Sequence, residues 1–72
     1  MIQTKFIVIS KLECGIDQFV ITLTPIAGGS VENDEFYRST PAGKIELMTL
    51  NAAAAAQFIV GQSFYVYFEH AA

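Results

Sequence analysis

Cys14 and His70 are the two side chains that could support nucleophilic chemistry, because a cysteine becomes reactive when a nearby base removes its proton. The chain has one cysteine and one histidine, and His70 lies two residues before the last residue. Residues near a chain end are commonly mobile, and the serine and threonine hydroxyls would depend on the same histidine. We therefore interpret Cys14 as a small, partly buried apolar residue and expect the chain not to be an enzyme.

Glu32, Asp34 and Glu35 form an acidic run that could bind a cation, since carboxylate oxygens are calcium ligands. The run lacks the alternating ligands and the distal glutamate of an EF-hand loop. The preceding Gly28 and Gly29 lack the spacing and the lysine of a phosphate-binding loop. We therefore expect neither a metal nor a cofactor, and interpret the acidic run as a solvated loop that could contact a basic patch on a partner.

The composition favours assembly with other chains. A chain of 72 residues is short for a domain, and such small domains often depend on disulfides, a metal or oligomerisation. A single cysteine excludes an internal disulfide, and a single histidine disfavours a His/Cys zinc site. The charged share is 15% and the hydrophobic share 53%, whereas ordinary chains carry about 25% charged residues. The excess apolar residues must therefore fill the core or form a contact surface.

Charge and hydropathy disfavour two classes of partner. The net charge is −3, whereas proteins that follow nucleic-acid phosphates need a basic surface. Tyr65, Tyr67 and Phe36-Tyr37 could stack on single-stranded bases, but without a basic groove they fit a protein contact better. No apolar run approaches the roughly 18 residues of a membrane span, and no secretory signal is expected. We expect neither nucleic acid nor a membrane as a partner.

The pattern of apolar residues predicts strands joined by short turns, with one helix. Asn51 is a good N-cap for a helix that runs through Ala52–Ala56 to about Ile59 and docks through Phe58 and Ile59. Residues 26–35 are predicted as a loop. The first two strands are expected to pair as an antiparallel hairpin. Five segments are predicted as strands, the third of them short: Met1–Ser10, Gln18–Thr24, Phe36–Ser39, Lys44–Leu50 and Phe64–Glu69.

This order predicts a mainly β fold: one domain over residues 1–72, built as a small five-stranded barrel or sandwich of OB-like or SH3-like type. The short helix lies before the last strand, which differs from the usual OB order. Strand alternation predicts a shared core made of Phe19, Ile21, Leu23, Phe64, Val66 and Phe68. The opposite strand faces supply candidate partner contacts: Ile7, Ile9, Val20, Met48, Tyr65 and Tyr67.

The second half of the chain resembles a group of small phage proteins that are encoded among head and packaging genes. The resemblance runs from the acidic run to the last strand. It lies in the Thr40-Pro41 turn, in Asn51, in the Phe-x-x-Gly of residues 58–61 and in the Tyr-Val-x-Phe of residues 65–68.

The resemblance implies a virion structural accessory protein that decorates or cements the capsid. Its partners would be the major capsid protein or other copies of itself. It would reside in the virion, and in the host cytoplasm during assembly. Two alternatives stay open: a small phage-encoded inhibitor that uses the acidic loop, and an OB-like module that binds single-stranded nucleic acid.

Overall fold

A curled, four-stranded antiparallel sheet forms the body of the molecule in the computed structural model, which describes residues 2–38 and 40–72. The strands lie side by side in the order β3-β2-β1-β4, as a half-barrel. Two short helices complete the described chain. The elements are β1 (Ile2–Glu13), β2 (Phe19–Pro25), α1 (Val31–Tyr37), β3 (Ile45–Thr49), α2 (Ala52–Ala55) and β4 (Ser63–Phe68).

The prediction of a mainly β fold with a short helix before the last strand is confirmed. The prediction of five strands closing into a barrel is wrong for the described residues. Phe36 and Tyr37, predicted to lie in the third strand, end helix α1 instead, and Ser39 lies outside the described residues. Without that strand, nothing in the described chain joins β3 to β4, so both remain outer strands of an open sheet.

Helix α1 also replaces part of the predicted loop over residues 26–35. It begins after Ser30, whose hydroxyl oxygen accepts a hydrogen bond from the Asn33 N–H at 3.3 Å. Glu32 and Asp34 lie in the first turn, where the positive end of the helix dipole stabilises acidic side chains. The acidic run is therefore helical because a cap precedes it and its charges suit a helix start.

The hairpin of β1 and β2 is confirmed, with one irregularity that changes which side chains face the core. Val8 lies opposite Leu23, but Ser10 lies opposite Thr22, so Ile9 is an extra residue in a β-bulge. Beyond the bulge, Lys11 lies opposite the buried Ile21. Its ammonium donates to the Ala55 carbonyl at 3.2 Å, so the bulge aims a lysine at the end of α2.

The core is small and lies on the concave face of the sheet. Its buried apolar members are Phe6, Val8, Ile21, Leu23 and Ala55. Five half-buried residues surround them: Phe19, Ile45, Phe58, Phe64 and Val66. The expected core position of Phe68 is wrong, since this side chain is 51% exposed. It pairs with the exposed Ile2 at the outer end of β1 and β4, beyond the core cluster.

Helix α2 begins as predicted at Asn51, whose side-chain oxygen accepts from the Ala54 N–H at 3.0 Å. It is shorter than predicted, with Ala55 as its buried residue. Phe58, just beyond it, packs on the core, but Ile59 is exposed, so its predicted docking role is wrong. Two hydrogen bonds tighten the chain after Ala55, and this turn directs Phe58 inward and Ile59 outward.

Candidate protein interface

An apolar groove runs along the concave face between the two outer strands. Leu23 of β2 lies at its base, and Ile45 and Leu47 of β3 line one side. Its volume is about 370 Å³. The described residues that line it include no acidic or basic side chain. The opposite side is formed by Phe58 and by residues of β4: Phe64, Tyr65, Val66 and Tyr67.

Three residues of this groove belong to the core that strand alternation predicts: Leu23, Phe64 and Val66. Ile45, Phe64 and Val66 do face the concave side, but they are only half-buried. Leu47 is 43% exposed although it lies opposite the fully buried Ile21. A period of two shows which residues share a face. It does not show whether another layer covers that face, so the opening could not be found from the sequence.

The molecule is expanded for its length. Its Cα radius of gyration is 13.4 Å, whereas a domain of 72 residues has about 11 Å. Its accessible surface is 5123 Å², whereas a folded monomer of 7.9 kDa exposes about 4,400 Å². The open concave face, which a domain ordinarily buries beneath a second layer, contributes to this difference, and so do exposed apolar side chains outside it such as Ile16 and Leu50.

Tyr65 and Tyr67, both candidate contacts, border the groove along β4, but their side chains alternate with Phe64 and Val66 and so lie on the other face of the strand. Their ring centroids are 6.4 Å apart, and each side chain is about half exposed. The Lys5 ammonium lies 5.7 Å from the Tyr65 ring centroid, close enough for a cation–π contact. The Tyr67 hydroxyl accepts a hydrogen bond from Gln3 at 3.4 Å. The two rings thus form an aromatic surface at the free edge of the sheet.

Glu32 is the acidic candidate that adjoins this aromatic surface. A hydrogen bond from its own backbone N–H lowers the pKa of its carboxyl group below the usual value. The Ser30 hydroxyl, which donates to it at 2.8 Å, acts in the same direction, as do the Lys5 charge and the Tyr65 hydroxyl. Asp34 and Glu35 are exposed on the same helix. Helix α1 therefore packs against β1, with the Glu32 carboxyl group reaching Tyr65 of β4 and with Asp34 and Glu35 facing solvent.

Met48 lies apart from these residues, on the outer strand β3. Three strand spacings, about 14 Å, separate β3 from β4. Met48 lies opposite Val20, which in turn lies opposite Leu12. These three form an apolar row across the convex face, and Leu12, which sequence reasoning overlooked, is exposed. Its exposure follows from the bulge, which shifts the alternation of β1 by one residue.

Ile7 and Ile9 complete the predicted contacts. Ile7 is half-buried and lies opposite Ser63 at the start of β4. Ile9 is exposed at the bulge and belongs to no regular pair. The candidate residues therefore do not form one patch. Tyr65, Tyr67 and Glu32 come together beside β4, whereas Met48 and Ile9 lie elsewhere.

The side chains considered for chemistry are dispersed. Cys14 is exposed in the turn between β1 and β2, so the expectation that it is partly buried is wrong. Within residues 2–38 and 40–72, no three His, Cys, Asp or Glu side chains lie close enough together to hold a metal ion. In the same ranges, no helix has the length and apolar character needed to cross a membrane.

Comparison with protein-family models, with curated proteins and with solved structures yields no match to this chain.

Proposed function

We propose that the chain is a structural protein whose function is to bind other protein chains, as a decoration or cement protein of a phage capsid. The observation that carries the proposal is the size of the uncovered surface. The exposed area exceeds that of an ordinary monomer of this mass by about 700 Å². One partner contributes about 800 Å² to a standard protein–protein interface. The excess is therefore what one such contact would cover.

The groove has the composition of the centre of an interface. Interface cores are depleted of charge and enriched in aromatic and aliphatic side chains, and neither acid nor base lines this groove. Half-exposed side chains such as Leu47 and Phe64 can bury further area only against a partner. An apolar segment of the major capsid protein that seats on these side chains would supply the missing second layer.

The charged residues fit the rim of such a contact. Asp34 and Glu35 are exposed on α1, on a chain of net charge −3. Rim charges add little affinity but accelerate encounter with a surface of opposite sign. A partner with a basic patch beside an apolar segment would be favoured by both features.

The assignment to a virion rests on the resemblance in residues 33–68 to phage proteins of the head and packaging genes. A cement protein needs a folded scaffold and contact surfaces, and it needs no active site. Short chains that bury little of their own surface gain stability by assembling on a larger shell. The protein would then lie in the capsid of the virion and, before assembly, in the host cytoplasm.

The proposal is tested by mass spectrometry of virions assembled with two variants. Leu47→Asp places a charge in the groove, whereas the neighbouring Met48→Asp places the same charge on the convex face. We expect the wild-type protein and Met48→Asp at a fixed ratio to the major capsid protein, and Leu47→Asp to be lost from virions. Circular dichroism of both variants checks that each is folded.

Absence of the wild-type protein from purified virions would refute the virion role. Loss of Met48→Asp together with retention of Leu47→Asp would place the contact on the convex face and refute the role of the groove.

A further inference from the structure

The two outer strands of the sheet differ in how they are protected. Unpaired strands usually carry charges, proline or a bulge that prevents pairing with another chain. Strand β3 has five residues with Glu46 among them, and Lys44 precedes it. Strand β4 has six residues, Ser-Phe-Tyr-Val-Tyr-Phe, with no charge, no proline and no glycine. It also pairs with β1 without a bulge. Strand β4 is therefore an unprotected edge.

The free hydrogen-bonding groups of β4 belong to alternate residues. The Lys5 carbonyl accepts from the Ile26 N–H at 3.1 Å, on the β2 side of β1. The groups of its neighbours, Thr4 and Phe6, must therefore point toward β4, where they meet Val66 and Phe64. The residues between and beside those two point their N–H and C=O groups away from the sheet. They are Ser63, Tyr65 and Tyr67.

We infer that β4 pairs antiparallel with β4 of a second copy of this chain, across a two-fold axis at Tyr65. In this register Tyr65 lies opposite Tyr65 of the second copy, and Ser63 lies opposite its Tyr67. All three outward-pointing residues of each strand then find partners, whereas a shift by two residues leaves one of them unpaired. The two sheets join into one of eight strands.

The side chains fit this self-pairing. Residues directly opposite each other on antiparallel strands are about 5 Å apart, so like charges there repel; the uncharged β4 brings no such pair together. The small Ser63 faces the large Tyr67 of the other copy on one side of the sheet. Tyr65, Tyr67 and Phe68 are each about half exposed in the single chain, so the pairing covers aromatic surface as well as backbone.

A second copy suits this edge better than a charged partner strand would. Pairing satisfies the backbone groups of β4 in both copies at once, and an isologous contact needs one self-complementary strand. The dimer is independent of the virion role: it can form in solution without a capsid.

The register is tested by disulfide cross-linking in a Cys14→Ser background, which removes the natural exposed thiol. Tyr65→Cys places two cysteines opposite each other with Cα atoms about 5.5 Å apart, within the range of a disulfide. Tyr67→Cys, the matched control, places them four residues out of register, about 13 Å apart. Under mild oxidation we expect a covalent dimer of twice 7.9 kDa from Tyr65→Cys, and none from Tyr67→Cys.

Sedimentation equilibrium of proline variants tests the edge itself. Tyr65→Pro removes an N–H that points out of the sheet, so it blocks pairing without breaking a bond to β1. Met48→Pro removes the equivalent outward N–H of β3. We expect the wild type and Met48→Pro to sediment as dimers, and Tyr65→Pro as a monomer of 7.9 kDa.

Three results would overturn the inference. They are a wild-type protein that is monomeric at all concentrations, equal cross-linking of the two cysteine variants, or a dimer that Met48→Pro dissociates and Tyr65→Pro does not. If Tyr65→Pro does not fold, the cross-linking of the two cysteine variants alone tests the inferred register. A monomeric protein that is still present in virions would refute this inference and leave the proposed function intact.

Discussion

Asn33 and Lys5 are joined by two hydrogen bonds in which a side-chain amide takes the place of a strand backbone. The Lys5 N–H donates to the Asn33 amide oxygen at 2.7 Å, and the amide nitrogen donates back to the Lys5 carbonyl at 2.7 Å. The same nitrogen donates to the Ile26 carbonyl at 3.0 Å. Strand β2 has just ended at Pro25, and beyond it the Ile26 N–H still donates to the Lys5 carbonyl at 3.1 Å. Asn33 thus closes the end of the β1–β2 ladder and fixes α1 to the sheet.

Asn33→Ala should destabilise the fold by about 2–5 kcal/mol, because it leaves the Lys5 N–H and the Ile26 carbonyl without partners. The Asn33 side chain is 0% exposed, so water cannot replace it without a rearrangement. Urea unfolding followed by circular dichroism measures the loss. The control Glu35→Ala, at an exposed position of the same helix outside its acidic first turn, should change stability by less than about 0.5 kcal/mol. Equal effects of the two substitutions would show that the amide bridge contributes nothing.

Local patterns predicted the β1–β2 hairpin and the Asn51 cap, because alternation and capping depend on residues a few positions apart. The Asn33 bridge could not be predicted in this way. Its partner Lys5 lies 28 residues away, and no local pattern relates the two. Helix α1 had a usable local signal, since Ser30 precedes two acidic residues in a first turn. The neighbouring glycines favoured a loop and obscured it.

The open groove shows a different limit of sequence reasoning. Alternation placed Leu23, Phe64 and Val66 on one face correctly. Whether that face is covered depends on the number of strands and on sheet closure. Once Phe36 and Tyr37 proved helical, the strand expected to help close the barrel was absent, and the predicted core became a half-open groove.

Leu23→Ala should cost about 2–5 kcal/mol, because Leu23 is almost fully buried at the centre of the core and the substitution leaves a cavity. Leu50→Ala removes the same atoms from a side chain that is 72% exposed, and it should be nearly neutral. The free energies of unfolding of the two variants give the comparison. If they differ by less than about 0.5 kcal/mol, the concave face is not the core of the protein in solution.

Acid should weaken the fold in part through Glu32. Its pKa is lowered in the folded protein, chiefly by the backbone hydrogen bond and the Ser30 hydroxyl, from an ordinary value of 4.5. A lowered pKa means that the unfolded chain binds the proton more readily. The stabilisation is therefore complete above pH 4.5 and declines as the pH falls below that value toward the folded pKa.

Thermal unfolding between neutral and acidic pH measures this contribution. Glu32→Gln cannot ionise, so its melting temperature should fall less than that of the wild type as the pH drops below 4.5. The control is Glu35→Gln, which makes the same substitution at an exposed position of the same helix and should follow the wild-type curve. A Glu32→Gln curve parallel to that of the wild type would contradict the assignment.

Single-stranded nucleic acid should not bind, even though Tyr65 and Tyr67 present adjacent aromatic rings at one edge. Stacking on aromatic side chains works together with a basic groove that holds the phosphates. Among residues 2–38 and 40–72, the cation near these rings is Lys5, which lies over Tyr65 and beside the Glu32 carboxylate. Fluorescence anisotropy of a labelled oligothymidylate should therefore not change on addition of the wild-type protein at physiological salt.

The double variant Asp34→Lys, Glu35→Lys raises the net charge by four units, from −3 to +1. This variant should give weak binding that rising salt abolishes, which would identify charge as the barrier. Tight, salt-sensitive binding by the wild type would instead favour an OB-like nucleic-acid module over a protein-contact role for the two tyrosines.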